Sequence, residues 1–279
     1  MEEKHIKQAR KAFNASAYKS VVCKVGTTTL LHENGKPNIS RLEKLVRVLV
    51  GIKNQGKNVV LVTSGAVGLG AGRLGIKNKK DIKIKQALAA VGQGILMQFY
   101  EKLFSEYHTS VAQILLTRED VENPPRRQNA LNTIRTLFDF DIIPIINEND
   151  TVAVEEIVFG DNDTLSAVVA RLIGADILIL LSDIDGLYTD IPSKKGSVKI
   201  PIVDRITPEI EALAGESGSE FGTGGMKSKI LAARIATQAG VAMAIIDGAN
   251  PELIYDVLEG KNPGTFFVPQ KSVNVIGLT

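Results

Sequence analysis

Apolar residues fall in short unbroken bursts along this chain, and longer stretches with a helical period lie between them. The bursts "SVVCKV" (20–25), "NVVLVT" (58–63), "SVAQILLT" (110–117), "DIIPIIN" (141–147), "DILILLS" (176–182), "VAMAIID" (241–247) and "TFFV" (265–268) predict strands. Several are nearly continuous rather than alternating, as in strands of a parallel sheet covered by helices on both faces. Helical spacing is predicted over 40–56, 83–107, 126–140, 163–174, 207–215, 225–240 and 250–260. Strand followed by helix, repeated, makes an α/β fold with right-handed crossovers. No repeat, low-complexity tract or long linker interrupts it, so residues 20–270 read as one domain. The stretch 151–160 alternates enough to predict a strand or hairpin beside the sheet. Residues 1–19 read as an N-terminal extension and 271–279 as an appended tail.

Composition narrows the class. The 279 residues suffice for a large core, and 33 basic against 31 acidic residues leave a formal charge of only +2. Nucleic-acid binders usually concentrate basic charge, and the one candidate patch, "IKNKKDIKIK" (76–85), reads as a solvated helix face or loop. The single cysteine, Cys23, excludes an internal disulfide and sits in an apolar run as a small buried hydrophobe. No apolar stretch reaches the length of a membrane span, and "MEEKHIKQARKAF" lacks the apolar region of a signal peptide. A cytoplasmic location is the expectation. His5, His32 and His108 lack metal-ligand spacing.

In open α/β sheets ligands bind outside the carboxyl ends of the strands, so those ends carry the candidate chemistry. The first strand ends in "KVGTTT", where Lys24, a glycine and three hydroxyls suit phosphate oxygens. The second ends in "TSGAVGLG", with Ser64, Gly65 and Ala66 at a helix N-terminus that favours an anion; close helix packing would select the same small residues. Ser182 and Asp183 occupy the tip of the strand at 176–182. In "GTGGMKSK" (222–229), Thr223, Gly224 and Gly225 precede a helix opening with Met226, Lys227, Ser228 and Lys229. Met226 breaks the Walker A spacing, yet flexible glycines, a helix dipole and lysines are the parts of a polyphosphate cradle. Two acid-and-amide clusters remain, "NEND" (147–150) and "GDND" (160–163), open to three readings: helix caps, a metal site, or a polar-substrate pocket. Separated lysines, glycine-rich anion sites and carboxylates together suit phosphoryl transfer from a Mg²⁺–nucleotide.

These segments, with "ALAAVGQ", "LLTRED", "IPIINENDTVA" and "LLSDIDGLYT", resemble the amino acid kinase family, and "GDND" with "GTGGMxxK" resembles its glutamate kinase branch. The resemblance implies a three-layer αβα sandwich with a mainly parallel central sheet. It also implies ATP-dependent phosphorylation of the γ-carboxylate of L-glutamate, the first step of proline biosynthesis. Carried over, it makes Lys24 and Lys229 stabilisers of the transferring phosphoryl group, with Asp163 holding both and Asp161 supporting. Ser64, Gly65, Ala66, Asn147, Asp150 and Asn162 would bind glutamate. Lys24, Ser182, Asp183 and the run Thr223, Gly224, Gly225, Met226, Lys227, Ser228 and Lys229 would hold ATP. Mg²⁺ would be held mainly by the ATP phosphates rather than by protein ligands. Homo-dimers or tetramers, feedback inhibition by proline, and no nucleic-acid or membrane partner are further implications. Ser182 stands where many members have threonine. Many bacterial members also append an RNA-binding-like domain of the PUA type, and this chain ends before one. The extension 1–19 leaves open a kinase half of a bifunctional enzyme. A catalytically silent amino-acid sensor is the competing class, and the presence of Lys24, Asp163 and Lys229 weighs against it.

Overall fold

The computed structural model describes residues 18–79, 81–152, 161–213 and 225–270. The strands are β1 (Ser20–Val25), β2 (Asn58–Val62), β3 (Val111–Leu116), β4 (Ile143–Glu148), β5 (Ile177–Ser182), β6 (Leu187–Tyr188), β7 (Lys199–Ile200), β8 (Ile202–Val203), β9 (Ala242–Asp247) and β10 (Thr265–Phe267). The helices are α1 (Thr27–Leu30), α2 (Ile39–Asn54), α3 (Ala66–Leu74), α4 (Ile82–Ser105), α5 (Arg118–Glu122), α6 (Pro124–Asp139), α7 (Asn162–Ile173), α8 (Pro208–Ala212), α9 (Met226–Gln238) and α10 (Leu253–Leu258). Eight strands form one sheet in the order β3-β4-β2-β1-β5-β9-β10-β8. Every pairing in it is parallel except β9 with β10.

The sheet is buried on both faces because its strands alternate between two apolar layers. Val21, Cys23, Ile145, Ile177 and Ile179 pack with Leu45 and Leu49 of α2, Leu96 and Phe104 of α4, and Ile254 of α10. Val22, Val60, Ile146, Leu178 and Leu180 face the other way, onto Leu165 and Val169 of α7, Ile230 and Ala233 of α9, and Ile134 of α6. The result is the expected three-layer sandwich. Among the described residues no helix is long and apolar enough to cross a membrane.

Each predicted strand forms within two residues of its expected ends. The hairpin expected over 151–160 falls outside the described residues from 153 onward, as do the tail 271–279 and all but residues 18 and 19 of the N-terminal extension. Helix α3 was foreseen only at its first turn. Its sequence "AVGLGAGRL" carries three glycines, each weakening a helix by about 1 kcal/mol relative to alanine. Tertiary packing overrides that propensity: α3 lies against α4 almost backbone to backbone. A Cβ built on Gly70 would lie 2.0 Å from the Leu88 carbonyl oxygen, and one on Gly92 would lie 1.8 Å from that of Ala66. The glycines that lower helix propensity are the ones that permit the crossing.

This crossing separates two neighbouring glycines of α4 by test. Gly92→Ala must push α3 and α4 apart and is expected to destabilise by about 1–3 kcal/mol. Gly94 is exposed with nothing within 4 Å of an added Cβ, so Gly94→Ala should be neutral or stabilise by up to about 1 kcal/mol. Urea denaturation midpoints compare them, and equal shifts would contradict the close crossing.

Candidate active site

β1 lies at the switch point of the sheet, with β2 on one side and β5 on the other. Parallel neighbours that diverge there open a crevice at their carboxyl ends. Lys24 is two residues beyond Val22 and shares its face, so its side chain continues out of the apolar layer toward α7 and α9. There it meets Asp163, in the first turn of α7. Lys24 Nζ lies 2.5 Å from Asp163 Oδ1, and Lys229 Nζ lies 3.1 Å from Asp163 Oδ2. All three are buried: Asp163 is 0% exposed, Lys229 5% and Lys24 8%. Ser228 Oγ shares its one hydroxyl hydrogen between the same carboxylate, at 3.1 Å, and the Gly225 carbonyl, at 2.8 Å.

Two ammoniums around one carboxylate leave the triad itself with a charge of +1. Both buried helices also turn their positive N-terminal ends this way: α9 begins at Met226 and α7 at Asn162. The arrangement has the electrostatics of an anion site. Burial pushes the Asp163 carboxyl up, but the charges of Lys24 and Lys229 and their hydrogen bonds outweigh burial and hold it below the ordinary carboxylate value. Asp161 occupies the N-cap of α7, its Oδ1 accepting from Thr164 N at 3.0 Å. Its described role is to fix the start of the helix that carries Asp163.

Beside Asp163, Asn162 points into a second cluster. Its Nδ2, with two hydrogens to give, lies among three acceptors: Ser64 Oγ at 2.9 Å, Asn147 Oδ1 at 2.8 Å and the Thr63 carbonyl. Ser64 follows β2, and Gly65, in the left-handed conformation at φ 99°, caps α3 just before Ala66. Asn147 lies in β4; its Oδ1 accepts from Glu148 N and its Nδ2 donates to Gln93 Oε1, both at 2.9 Å. Asp150 follows the same strand, and burial raises its carboxyl above the ordinary aspartate value. On the opposite side of β1, Ser182 ends β5 and donates from Oγ to Asp183 Oδ1 at 3.0 Å. Thr223 and Gly224 lie outside the described residues; Gly225 is the N-cap of α9, and Lys227 is exposed.

The sequence itself is decisive about lineage, since the amino acid kinase family profile matches residues 19–247. The chain belongs to the amino acid kinase family. It is 52% identical over 261 residues to the glutamate 5-kinase of Clostridium tetani, covering 91% of this chain and 98% of that protein. It is 54% identical over 258 residues to the glutamate 5-kinase of Moorella thermoacetica, covering 92% of this chain and 68% of the relative. Carbamate kinase from Giardia lamblia bound to AMP-PNP shares the fold with a TM-score of 0.66 at 18% identity, over 91% of this chain and 99% of that one. The isopentenyl phosphate kinase substrate complex does so at 0.59 and 16%, over 90% and 100%. At such low identities these two structures speak for the fold alone.

Among family motifs in this chain, the residue doing most beyond its sequence reading is Ser228. It is expected in a nucleotide loop, and its hydroxyl also reaches Asp163. Thr63, Tyr100 and Gln93 were not foreseen as parts of the site. Tyr100 Oη and Thr63 Oγ1 lie 2.8 Å apart in full burial, anchoring the strand tip whose carbonyl receives Asn162. The signal available in the sequence was "VGQG", a polar residue between two glycines in the otherwise apolar stretch 87–97.

Asp163→Asn tests the triad. Breaking a buried ion pair on one side costs about 3–5 kcal/mol, so a stability loss of that order is expected in denaturant titrations at pH 7. The Asp163 carboxyl is depressed in the folded state. Its stabilisation is therefore fully present above the unfolded carboxyl value, about 4, and is lost as pH falls through the lower folded value. The gap between parent and variant should narrow as pH falls below about 4; a gap unchanged into acid would contradict the ion-pair account.

Proposed function

We propose that this chain phosphorylates the γ-carboxylate of L-glutamate with ATP to give L-glutamyl 5-phosphate, the first step of proline biosynthesis. Glutamate 5-kinase relatives above 50% identity over nine-tenths of the chain support the reading. The observation that carries it structurally is one dipeptide. Asn162 sits in an amide-rich pocket suited to an amino acid, and Asp163, next to it, sits between two buried lysines suited to a phosphoryl group.

In this reading the acceptor enters on the β2/β4 side of β1 and the nucleotide on the β5 side, so transfer occurs above Lys24. Asp150 faces the ammonium of glutamate, while Ser64, Asn147, Asn162 and the Gly65–Ala66 backbone hold its polar groups. Ser182, Asp183 and the 223–229 segment hold ATP. A γ-carboxylate oxygen attacks the γ-phosphorus. The new O–P bond forms as the bond to the β–γ bridging oxygen breaks, and ADP leaves. No proton changes hands, because the attacking carboxylate is already ionised, so the site needs no general base. It needs charge: Lys24 and Lys229 stabilise the equatorial oxygens as the group crosses, and Asp163 keeps both cations aimed. Mg²⁺ arrives as part of the nucleotide substrate and neutralises its phosphates. Proline shares the α-carboxylate and amine of glutamate and competes for the same pocket in this reading.

Hydroxamate trapping of the acyl phosphate tests the reaction: product should form with L-glutamate and ATP, and activity confined to another acid would overturn the substrate assignment. Lys229→Ala should lower kcat about 10²–10³-fold while changing KM for glutamate little; comparable losses in both would remove it from the transfer step. The raised Asp150 value sets a pH signature. Its carboxylate must be ionised to receive an ammonium, so KM for glutamate should rise as pH falls through a value above the ordinary aspartate range. Asp150→Asn should raise KM and remove that acid limb.

A further inference from the structure

We infer that Gln93 is a positioning residue of the acceptor pocket: acting through Asn147, it fixes the direction of the carboxamides that receive the amino acid. The inference rests on the acceptor-pocket reading above. It starts from the asymmetry of a carboxamide, whose oxygen only accepts and whose NH₂ only donates. Asn147 Oδ1 is committed twice, to Asn162 Nδ2 at 2.8 Å and to Glu148 N at 2.9 Å. Its Nδ2 then needs an acceptor, and Gln93 Oε1 at 2.9 Å is that acceptor. Turning Asn147 over would set NH₂ against two donors and its oxygen against the Gln93 oxygen. Asn147 is 2% exposed and Gln93 8%, so water is a poor substitute.

The other end of Gln93 is telling. Its Nε2 is buried and has no hydrogen-bond partner among the described residues. A glutamine retained for packing alone would be an expensive choice, since an apolar side chain of the same shape leaves no donor unsatisfied. What the carboxamide supplies here is one acceptor oxygen, aimed at Asn147. The α3–α4 crossing sets that aim: Gly92, the preceding residue, admits the Ala66 backbone and brings α4 against the tip of β2. Orientation then passes from Gln93 to Asn147, and from Asn147 to Asn162, which adjoins Asp163.

Steady-state kinetics of Gln93→Met and Gln93→Glu test this. Methionine keeps the shape and removes the acceptor; glutamate keeps an acceptor oxygen at Asn147. Q93M is expected to raise KM for L-glutamate roughly tenfold, with KM for ATP within about twofold of the parent. Q93E should recover KM for L-glutamate to within about threefold of the parent. In a double-mutant cycle, Q93M added to Asn147→Ala should cost little beyond Asn147→Ala alone. Equal KM values for Q93M and parent, equal damage toward both substrates, no rescue by Q93E, or full additivity with Asn147→Ala would each overturn the inference. Should Q93M fail to fold, Q93E against Gln93→Ala makes the same comparison. If the parent enzyme forms no acyl phosphate from glutamate, the functional reading fails; if the parent turns over and the Gln93 variants behave like it, only the positioning role fails.

Discussion

One carboxylate shared by two buried lysines fixes the working end of this molecule. Asp163, Lys24 and Lys229 come from a helix start, a central strand and the first turn of another helix, and each sits where burial would be costly alone. Lys229 is placed against the local field, since a cation near a helix N-terminus meets the positive end of the dipole. Asp163 offsets that and is itself favoured there. The α7–α9 packing, the tip of β1 and the Asp161 cap therefore have to agree with one another to within a hydrogen bond.

The sheet order places two different sets of polar groups on either side of this junction. β2, β4 and β3 lie on one side of β1 and contribute hydroxyl and amide groups at their carboxyl ends; β5 and β9 lie on the other and end in Ser182 and Asp247. In the proposed reaction, acceptor and donor approach from opposite sides and meet over the strand that carries the lysine. The neighbouring Asn162 and Asp163 hold the two halves in register because consecutive residues at a helix start project in different directions. Movement of α7 would disturb both halves together.

The sequence was most readable where burial is two-sided. Runs such as "DILILLS" and "SVVCKV" admit few readings other than central parallel strands, and their ends located Lys24 and Ser182. Asn147, Asn162 and Asp163 stood out because amides and acids at the end of an apolar run have little structural excuse. Gln93 did not. A glutamine in a long helix reads as a surface residue, and only the glycine-permitted crossing of α3 and α4 turns it inward. The family resemblance put Ser228 in the nucleotide loop, but not the reach of its hydroxyl across to α7. Local pattern reveals what a residue is; which partner it faces depends on packing between elements far apart in the chain.

The stoichiometry of the triad suits the chemistry proposed for it. With no carboxylate, two buried ammoniums in close company would repel, and one would shed its proton. With a second carboxylate the cations would be fully neutralised and would offer little pull on a phosphoryl group. One carboxylate pairs with both lysines and leaves a formal net positive charge to be answered by an anion. Because the attacking group is itself a carboxylate, the site's task is to bring two anions together and hold the charge that develops between them. A buried carboxylate held between two lysines, with the N-termini of α7 and α9 beside it, has the formal net charge of +1 that this task calls for.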